Sequence, residues 1–203
     1  MTAITRIFLP GAGGSAEFWQ PVADRLPAAW PKILLSWPGL GDQPHDPGVN
    51  GIDDLVGLVT ARIAAADGPV DLIGQSMGGL ITIRAALRHP DRIRRIVLTG
   101  TSGGVDVAGL GGVDWRADYR RNFPNAAGWI TETRADHATD LHAIQAPVLL
   151  LWGDVDPVSP LAVAHYLAER LPRATLAIVP GGDHAFPFML ADLTAPPIAR
   201  HLG

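Results

Sequence analysis

The stretch from Val70 to Gly79, with the sequence VDLIGQSMGG, decides the fold of this chain. The short run Val70–Ile73 leads into Gly-Gln-Ser-Met-Gly, and a helical pattern follows from Gly79 to Arg88. A strand that turns sharply into a helix presents the side chain at the tip of the turn, which here is Ser76. Glycines at 74 and 78 suit such a turn because they carry no Cβ atom that would collide with neighbouring backbone. The stretch therefore predicts a serine nucleophile at a strand–helix turn.

Outside this stretch, short apolar runs alternate with helical patterns along the chain. Such alternation is typical of α/β proteins, in which helices cover both faces of a parallel sheet. The runs are almost continuously apolar, as expected for strands buried on both faces. We predict about six mainly parallel strands, at Thr5–Leu9, Ile33–Trp37, Val70–Ile73, Arg95–Thr99, Val148–Trp152 and Thr175–Val179.

Helical patterns fill most of the gaps between these runs. Apolar residues at 52, 55, 56, 59 and 63 have the spacing of an amphipathic helix. Ser159–Pro160 is expected to supply an N-cap and a proline at the first helical position of a helix whose apolar stripe starts at Leu161. Helices are also predicted over Ala16–Leu26 and in the tail from Ala185, despite their prolines.

Residues 102–145 interrupt the alternation. They contain no clear strand, begin glycine-rich and then carry the aromatic residues Trp115, Tyr119, Phe123 and Trp129. A loop of this length inside a compact domain is unusual unless it forms a lid or a binding segment. We predict one domain over residues 1–203, with a small cap at about residues 102–145 inserted after the strand that ends near Thr99.

Composition and charge exclude several classes of function. The formal net charge of −4 argues against a nucleic-acid partner, and the absence of cysteine excludes disulfides and thiolate metal sites. No apolar run approaches the roughly 20 residues of a membrane helix, and Met1–Pro10 lacks the longer apolar region of a signal peptide. We expect a cytoplasmic protein with no membrane span, no nucleic-acid partner and no metal site.

A serine hydroxyl is a weak nucleophile, so it needs a general base that is oriented by a carboxylate. The usual chain order for this turn is Ser, then Asp or Glu, then His. His184 follows the last predicted strand, and Asp154 and Asp156 follow the one before it. Order and position favour His184 as the base, whereas spacing alone leaves Asp154 and Asp156 both open as the acid. A purely structural role for Asp156, as a cap of the following helix, also fits its position.

The turn Pro10-Gly11-Ala12-Gly13-Gly14 lies between the first predicted strand and a helix. It lacks the Lys-Ser/Thr ending of a phosphate-binding P-loop, and its glycine spacing fits a dinucleotide-binding turn poorly. A glycine-rich turn presents backbone N–H groups, and we interpret this one as half of an oxyanion hole. The N–H groups of Ala12 and Met77 are expected to converge on the developing negative charge.

Taken together, these residues resemble the α/β-hydrolase superfamily over nearly the whole chain. In that family the acid usually occupies the fourth position of a G-x-x-D block, which ranks Asp156 above Asp154. The usual His-Gly of the oxyanion turn is Pro10-Gly11 here, the first two strands of the family are missing, and the cap is short. The matching blocks, in the expected order, are Pro10–Gly14, Trp37–Gly41, Gly74–Gly79, Trp152–Asp156 and Gly182–His184.

The resemblance implies a serine hydrolase that cleaves a carboxylic ester or thioester of a small substrate. Its catalytic residues would be Ser76, Asp156 and His184, with an acyl-enzyme on Ser76 and no cofactor. C–C bond hydrolases, lyases and perhydrolases use the same three residues and remain alternatives. A non-catalytic ligand-binding or signalling module on this fold is another, since fold alone does not determine function. The sequence does not indicate an oligomeric state.

Our candidates for substrate contacts are Trp115, Trp129 and Phe186. The first two are cap aromatics, and the third closely follows the proposed base. Packing of the cap explains its aromatic residues equally well. The cap arginines suggest an acidic group on the substrate, but acidic residues outnumber them in the same segment, so we interpret both as surface charge.

Overall fold

A computed structural model describes residues 4–133, 137 and 139–203. Its centre is a six-stranded sheet in which every neighbouring pair of strands is parallel, so the predicted α/β architecture is confirmed. The strands are β1 (Thr5–Leu9), β2 (Lys32–Leu34), β3 (Val70–Gln75), β4 (Ile93–Thr99), β5 (Val148–Gly153) and β6 (Ala174–Val179).

The strand order across the sheet is β2-β1-β3-β4-β5-β6. The chain moves from β1 to the edge strand β2, returns to β3 beside β1, and then proceeds strand by strand to β6. Because all the strands are parallel, their carboxyl ends lie at the same edge of the sheet. The loops that follow β1, β3, β5 and β6, which carry the predicted site residues, therefore meet on one side.

Helices connect the strands and cover both faces. The prediction for Ala16–Leu26 is fulfilled by a 3₁₀ turn and one short helix, with Pro21 near the helix start, where a missing N–H breaks no intrahelical bond. Among the described residues, no helix is long and apolar enough to cross a membrane. The helices are α1 (Gln20–Ala23), α2 (Ile52–Ala65), α3 (Met77–Arg88), α4 (Arg116–Asn122), α5 (Leu161–Arg170), α6 (Phe186–Met189) and α7 (Ala191–Leu202), with 3₁₀ turns at Ala16–Trp19, Pro90–Arg92, Gly128–Thr131 and Leu141–Ala143.

Two local predictions were wrong. The predicted strand Ile33–Trp37 ends at Leu34, because Trp37 turns away from the sheet and donates its backbone N–H to the Gly14 carbonyl. Ser159 does not cap α5. The N-cap residue is Pro160, and the Ser159 hydroxyl donates instead to the carbonyl of Thr101, at 3.0 Å.

Successive strand residues point to opposite faces of the sheet, and each face has its own apolar cluster. On one face, α2, α3 and α5 pack over strand residues such as Leu72 and Leu150. On the other face, α1, α6 and α7 pack over residues such as Ile73 and Leu151. Burial of apolar surface on both faces makes the sheet a rigid support for the loops at its carboxyl edge.

The amino ends of the central strands hold a buried ion cluster that the sequence analysis did not identify. Asp71 in β3 is fully buried, and Arg94 donates to both of its carboxylate oxygens, at 2.9 and 2.6 Å. Arg6 Nε lies 3.6 Å from the same carboxylate, and its guanidinium lies 3.8 Å from the ring centroid of Trp30. Burial raises the pKa of Asp71 above its ordinary value, although the arginines act in the opposite direction.

Candidate active site

Ser76 lies at the turn between β3 and α3, and its backbone is strained. Its φ is 52° and its ψ −120°, and no other non-glycine residue of the described chain has a positive φ. A Cβ atom on Gly74 would lie 2.6 Å from the Gly78 carbonyl oxygen, and one on Gly78 would overlap the carbonyl of Leu9. The predicted reason for both glycines is confirmed: the turn is too tight for side chains on either side of Ser76.

Ser76, His184 and Asp156 form one hydrogen-bonded line. The Oγ atom of Ser76 lies 3.0 Å from Nε2 of His184, and Nδ1 of His184 lies 2.8 Å from Oδ2 of Asp156. The Asp156 side chain has no exposed surface, and its Oδ1 accepts the backbone N–H groups of Val158 and Ser159 at 2.8 and 2.9 Å. With Nδ1–H donating to Oδ2, Nε2 of a neutral imidazole is left to accept the serine proton.

The geometry distinguishes Asp156 from Asp154. Asp154 is exposed, and its Oδ1 accepts the N–H of Gly181 at 2.7 Å, so it stabilises the loop that carries His184 without contacting the ring. Asp156 contacts the ring through Oδ2 and also holds the turn before α5 through Oδ1. Asp156 does not cap α5, whose N-cap is Pro160 with no side-chain hydrogen bond. Its Oδ1 instead accepts the N–H groups of Val158 and Ser159 before the helix, which leaves Oδ2 for the ring of His184.

The loops after β5 and β6 are in direct backbone contact. A Cβ atom on Gly182 would lie 2.9 Å from the Cα atom of Gly153, and one on Gly153 would overlap the Gly182 carbonyl. The N–H of Val155 also donates to the Gly182 carbonyl, at 3.1 Å. Asp156 and His184 therefore sit on two loops that are held together by their main chains.

Two residues beside this line were missed in the sequence analysis. Gln75 is buried at the end of β3, and its Nε2 donates to the backbone carbonyl of His184 at 3.1 Å. Gly100 follows β4 with a φ of 47°, and a Cβ atom there would lie 3.0 Å from Oδ2 of Asp156. A polar residue within a fully buried strand was the available signal for Gln75. Gly100 carried no signal beyond its place after an apolar run.

The turn Pro10–Gly14 lies against Ser76. A Cβ atom on Gly11 would lie 2.3 Å from Gln75 Oε1 and 3.1 Å from the Ser76 Cβ, so a side chain at position 11 would crowd both residues. Met77 is the first residue of α3, where N–H groups have no intrahelical partner and the helix dipole is positive. Ala12 and Met77 both line the cavity that contains Ser76. The site thus brings the two predicted donor residues to the wall of the same cavity.

The carbonyl groups of this turn are held by side chains from three parts of the chain. Two of the donors, Trp19 and Trp37, belong to segments that follow β1 and β2. The third, Tyr119, belongs to α4, within the segment predicted to form a cap. The hydrogen bonds run from Trp19 Nε1 to Leu9 O (3.0 Å), from Trp37 Nε1 to Pro10 O (2.8 Å) and from Tyr119 Oη to Ala12 O (2.8 Å).

A cavity of about 1030 Å³ lies over Ser76 and His184. Its walls come from the loops after β1, β3 and β5 and from the segment between β4 and β5. Most of the wall is made by apolar side chains, which favour an apolar substrate group over a charged one. The apolar side chains include Met77, Leu80, Val105, Val107, Val113, Trp115, Ile130 and Val158.

Of the three predicted substrate contacts, Trp115 lines this cavity. Trp129 and Phe186 are not among the described residues that line it. Trp129 packs partly buried against the core, and its neighbour Ile130 faces the cavity instead. Phe186 is fully buried in the cluster on the opposite face of the sheet, because the chain turns inward at α6 directly after the loop of His184. Their assignment as contacts is therefore corrected.

Arg116 brings a cation to the cavity wall, but it is already engaged. Its Nη1 pairs with Asp114 at 2.9 Å, and its Nε donates to the carbonyl of Thr131 at 2.9 Å. Asp106 and Asp114 also line the cavity, so the described residues of its wall carry no excess of positive charge for an anionic substrate. Within the described part of the chain, no group of three or more His, Cys, Asp or Glu side chains is placed to hold a metal ion.

Comparison with known families agrees with this architecture. The model described as "alpha/beta hydrolase fold" matches residues 7–139, more than half of the chain, and the model described as "TAP-like protein" matches residues 113–189. The fold and the site define a hydrolase of this class, and the chain belongs to the α/β-hydrolase family. The resemblance drawn from the five sequence blocks is confirmed.

The chain is also similar to individual curated proteins and solved structures. It is 28% identical to the pimeloyl-[acyl-carrier protein] methyl ester esterase of Neisseria meningitidis serogroup B / serotype 15 (strain H44/76), over 92% of this chain and 88% of the esterase. It is also 28% identical to a poly(3-hydroxyalkanoate) depolymerase of Ectopseudomonas oleovorans, over 95% and 82% of the two chains. Among solved structures, a thermophilic esterase from Thermogutta terrifontis shares the fold with a TM-score of 0.77, at 20% identity over 99% and 90% of the two chains.

Proposed function

We propose that this protein hydrolyses a carboxylic ester of a small substrate through an acyl-enzyme on Ser76. The protein is an ester-cleaving serine hydrolase, as its curated esterase relatives indicate. The observation that carries the assignment of residues is the continuous line from the Ser76 hydroxyl through the His184 imidazole to the buried Asp156 carboxylate. A serine hydroxyl within hydrogen-bond distance of an imidazole that a carboxylate orients is the arrangement that serine hydrolases of this type use for nucleophilic attack.

In the proposed mechanism, the Oγ of Ser76 attacks the ester carbonyl carbon while Nε2 of His184 takes the hydroxyl proton. Asp156 stabilises the imidazolium through its bond to Nδ1. The tetrahedral intermediate carries a negative oxygen, which the N–H groups of Ala12 and Met77 bind, a contribution of typically about 3–4 kcal/mol for each donor. His184 then returns the proton to the departing alcohol, and the acyl group remains on Ser76.

The second half of the reaction uses the same groups in reverse order. His184 takes a proton from a water molecule, which attacks the acyl-enzyme carbonyl, and the N–H groups of Ala12 and Met77 again bind the oxyanion. When the intermediate collapses, the proton passes to Ser76 Oγ and the carboxylic acid leaves. No cofactor takes part in either half. A thioester would follow the same path with a thiol as the leaving group.

We further propose that residues 102–145 act as a small cap on a single domain and that they set the preference for the acyl group. The cap supplies Val105, Val107, Trp115 and Ile130 to the cavity, and its cation Arg116 is paired with Asp114. An uncharged, apolar acyl chain suits such a wall, because each buried CH₂ group contributes about 0.8 kcal/mol. Trp115 is the residue that we expect to contact this chain.

The test of the catalytic assignment is Ser76→Ala measured on a p-nitrophenyl ester. We expect turnover to fall to the background rate, and a fluorophosphonate to label the wild type, but not the variant, on the peptide that contains Ser76. An unchanged rate, or labelling at another serine, would contradict the assignment. Stoichiometric binding of the ester without turnover in the wild type would instead support the non-catalytic module considered above.

The acyl preference is tested with p-nitrophenyl esters of increasing chain length, each with and without a terminal carboxylate, and with the matching thioesters. We expect kcat/KM to rise with chain length and to drop when the carboxylate is present. The same series is measured on Trp115→Ala, in which kcat/KM should depend less on the length of the acyl chain. A preference for the carboxylate-bearing esters would refute the proposed substrate class.

A further inference from the structure

One buried hydroxyl connects the cap to the turn that is proposed to bind the oxyanion. Tyr119, on α4, is 8% exposed. Its hydroxyl donates to the carbonyl of Ala12 at 2.8 Å and accepts the N–H of Gly41 at 3.0 Å. Three segments that are distant in sequence therefore meet at this single oxygen atom.

The position of this bond within the turn matters. The carbonyls of Leu9 and Pro10 are held by indole N–H groups of Trp19 and Trp37, which lie outside the cap. The carbonyl of Ala12 is held by Tyr119 from the cap. Ala12 is also the residue of this turn whose own N–H is proposed to stabilise the oxyanion. The Ala12 N–H lies on the Gly11–Ala12 peptide, whose carbonyl accepts the Gly14 N–H at 3.1 Å, and Tyr119 holds the adjacent Ala12–Gly13 peptide from the cap.

We infer that Tyr119 is a positioning residue: by holding the main chain at Ala12, it aligns the Ala12 N–H for catalysis. This inference rests on the proposed function, because it assigns a second task to the same site. The cap segment then does more than form a wall of the substrate cavity, since its Tyr119 hydroxyl also holds the turn that is proposed to bind the oxyanion. Without this hydroxyl, the nucleophile and the base would stay in place, but one oxyanion donor would be poorly aligned.

The chemistry of the phenol suits this task. Burial raises the pKa of Tyr119 above its ordinary value, so the hydroxyl remains a donor throughout the neutral range. The ring is held independently of the hydroxyl, by edge contact with Trp115 (centroids 5.5 Å apart) and by Phe123 (5.1 Å). Removing the oxygen atom alone should therefore leave the cap packed and affect mainly the main chain at positions 12 and 41.

The first experiment compares Tyr119→Phe with Phe123→Leu on p-nitrophenyl acetate, whose two-carbon acyl group keeps apolar contact with the cap small. Tyr119→Phe should lower kcat by on the order of tenfold to a hundredfold, as misplaced catalytic groups do, with KM changed less than about twofold. Phe123→Leu, which disturbs the ring packing but keeps the hydroxyl, should stay within about twofold of the wild type in kcat. Equal losses in the two variants would overturn the inference, because they would reflect cap packing alone.

A transition-state analogue gives a readout that simple loosening of the cap would not reproduce. A small alkylboronic acid forms a tetrahedral, negatively charged adduct with the Ser76 oxygen and so occupies the oxyanion hole. In Tyr119→Phe, its inhibition constant should rise by the same factor by which kcat/KM falls. An unchanged inhibition constant would show that the Ala12 N–H does not depend on Tyr119.

A second route keeps the hydroxyl in the folded protein, in case Tyr119→Phe is too unstable to purify. The chain has two tyrosines, so in a Tyr166→Phe background a ring-fluorinated tyrosine replaces Tyr119 alone. Fluorination makes the phenol more acidic, and the phenolate can still accept the Gly41 N–H but can no longer donate to Ala12. We expect kcat of the fluorinated protein to fall as the pH rises through the range in which its phenol ionises. The unlabelled Tyr166→Phe protein should keep its kcat over the same range. Superimposable pH profiles would refute the inference.

Failure of this inference and failure of the proposed function are distinguishable in the same assays. If the wild type neither turns over the ester nor reacts with the fluorophosphonate, the proposed function fails. If the wild type is active and labelled at Ser76, while Tyr119→Phe matches it in kcat and in boronic acid inhibition, only the role of Tyr119 fails.

Discussion

A buried carboxylate lies at each end of the central sheet, and the two carboxylates have different kinds of partner. At the carboxyl end, Asp156 bonds to His184, whose charge depends on protonation and whose far side faces the Ser76 hydroxyl. At the amino end, Asp71 is paired with Arg94 and Arg6, which are permanent cations. Both carboxylates are buried, but only the first has a partner that can gain and lose a proton.

Under the proposed function, this difference separates a carboxylate that orients a base from one that holds the fold. The arginines beside Asp71 stay protonated at neutral pH, so they offer no group that could take up a proton. The imidazole beside Asp156 would take a proton from Ser76, and Asp156 would then stabilise the charge that forms. Substitution of Asp156 should therefore lower activity more than stability, and substitution of Asp71 should lower stability more than activity.

The largest effect is expected from Asp156→Asn. The amide keeps the shape of the carboxylate, but its NH₂ group favours the tautomer of His184 in which Nε2 carries the proton and cannot accept another. We expect kcat on a p-nitrophenyl ester to fall by about 10⁴-fold, while the midpoint of thermal unfolding changes little. A loss of less than tenfold would contradict the orienting role.

Asp71→Asn should show the reverse pattern. A neutral amide leaves the guanidinium groups of Arg94 and Arg6 without a buried counter-charge, which should lower the free energy of unfolding by about 3 kcal/mol. Urea unfolding measures this, and kcat of the folded variant should stay within about twofold of the wild type. A variant that loses turnover but keeps its stability would break the comparison.

Asp154→Asn sharpens the comparison at the carboxyl end. Asp154 lies two residues from Asp156 but accepts the N–H of Gly181, and because the amide oxygen of asparagine can keep this bond, stability should change by less than about 1 kcal/mol. We expect kcat within a few-fold of the wild type, measured in parallel with Asp156→Asn. Comparable losses in the two variants would show that the acid had been wrongly chosen.

The smallest effect concerns pH at the amino end. Burial and the neighbouring Arg95 lower the pKa of His201, so below about pH 6.5 the unfolded chain binds its proton more readily than the folded chain does. The stability that neutral His201 contributes is therefore present above pH 6.5 and is lost as the pH falls through the lowered pKa of the folded state. Urea unfolding from pH 7 to pH 5 should show a shallower decline for His201→Gln than for the wild type. Identical slopes would contradict this account.

The sequence predicted those features of the fold that follow from local chemistry. The strand–turn–helix around Ser76 is encoded by two glycines and an apolar run within ten residues, and both the turn and its steric cause were correct. Five of the six strands lie within two residues of their predicted bounds. The strand after Ile33 was overestimated, because Trp37 is drawn out of the sheet by a hydrogen bond to Gly14 that no local pattern encodes.

The contacts that were missed depend on distant parts of the chain. Tyr119 reaches Ala12 across 107 positions, and Gln75 reaches His184 across 109. Phe186 was a candidate because it closely follows His184, and Trp129 because it is an aromatic residue of the predicted cap; Phe186 packs into the core, and Trp129 is not among the described residues that line the cavity. Chain order and position favoured His184 as the base, whereas the choice between Asp154 and Asp156 required the family resemblance and then the coordinates.

The main-chain contact between Gly153 and Gly182 has a consequence for redesigning this protein. Any side chain at either position would push the two loops apart and pull the carboxylate away from the imidazole, whatever else the substitution achieved. A library aimed at new substrates should keep both glycines and begin its diversity at Val113, whose exposed side chain borders the cavity, before it reaches Val105, which is also part of the core. Variation at Val113 should change what enters the site and leave the line from Ser76 to Asp156 in place.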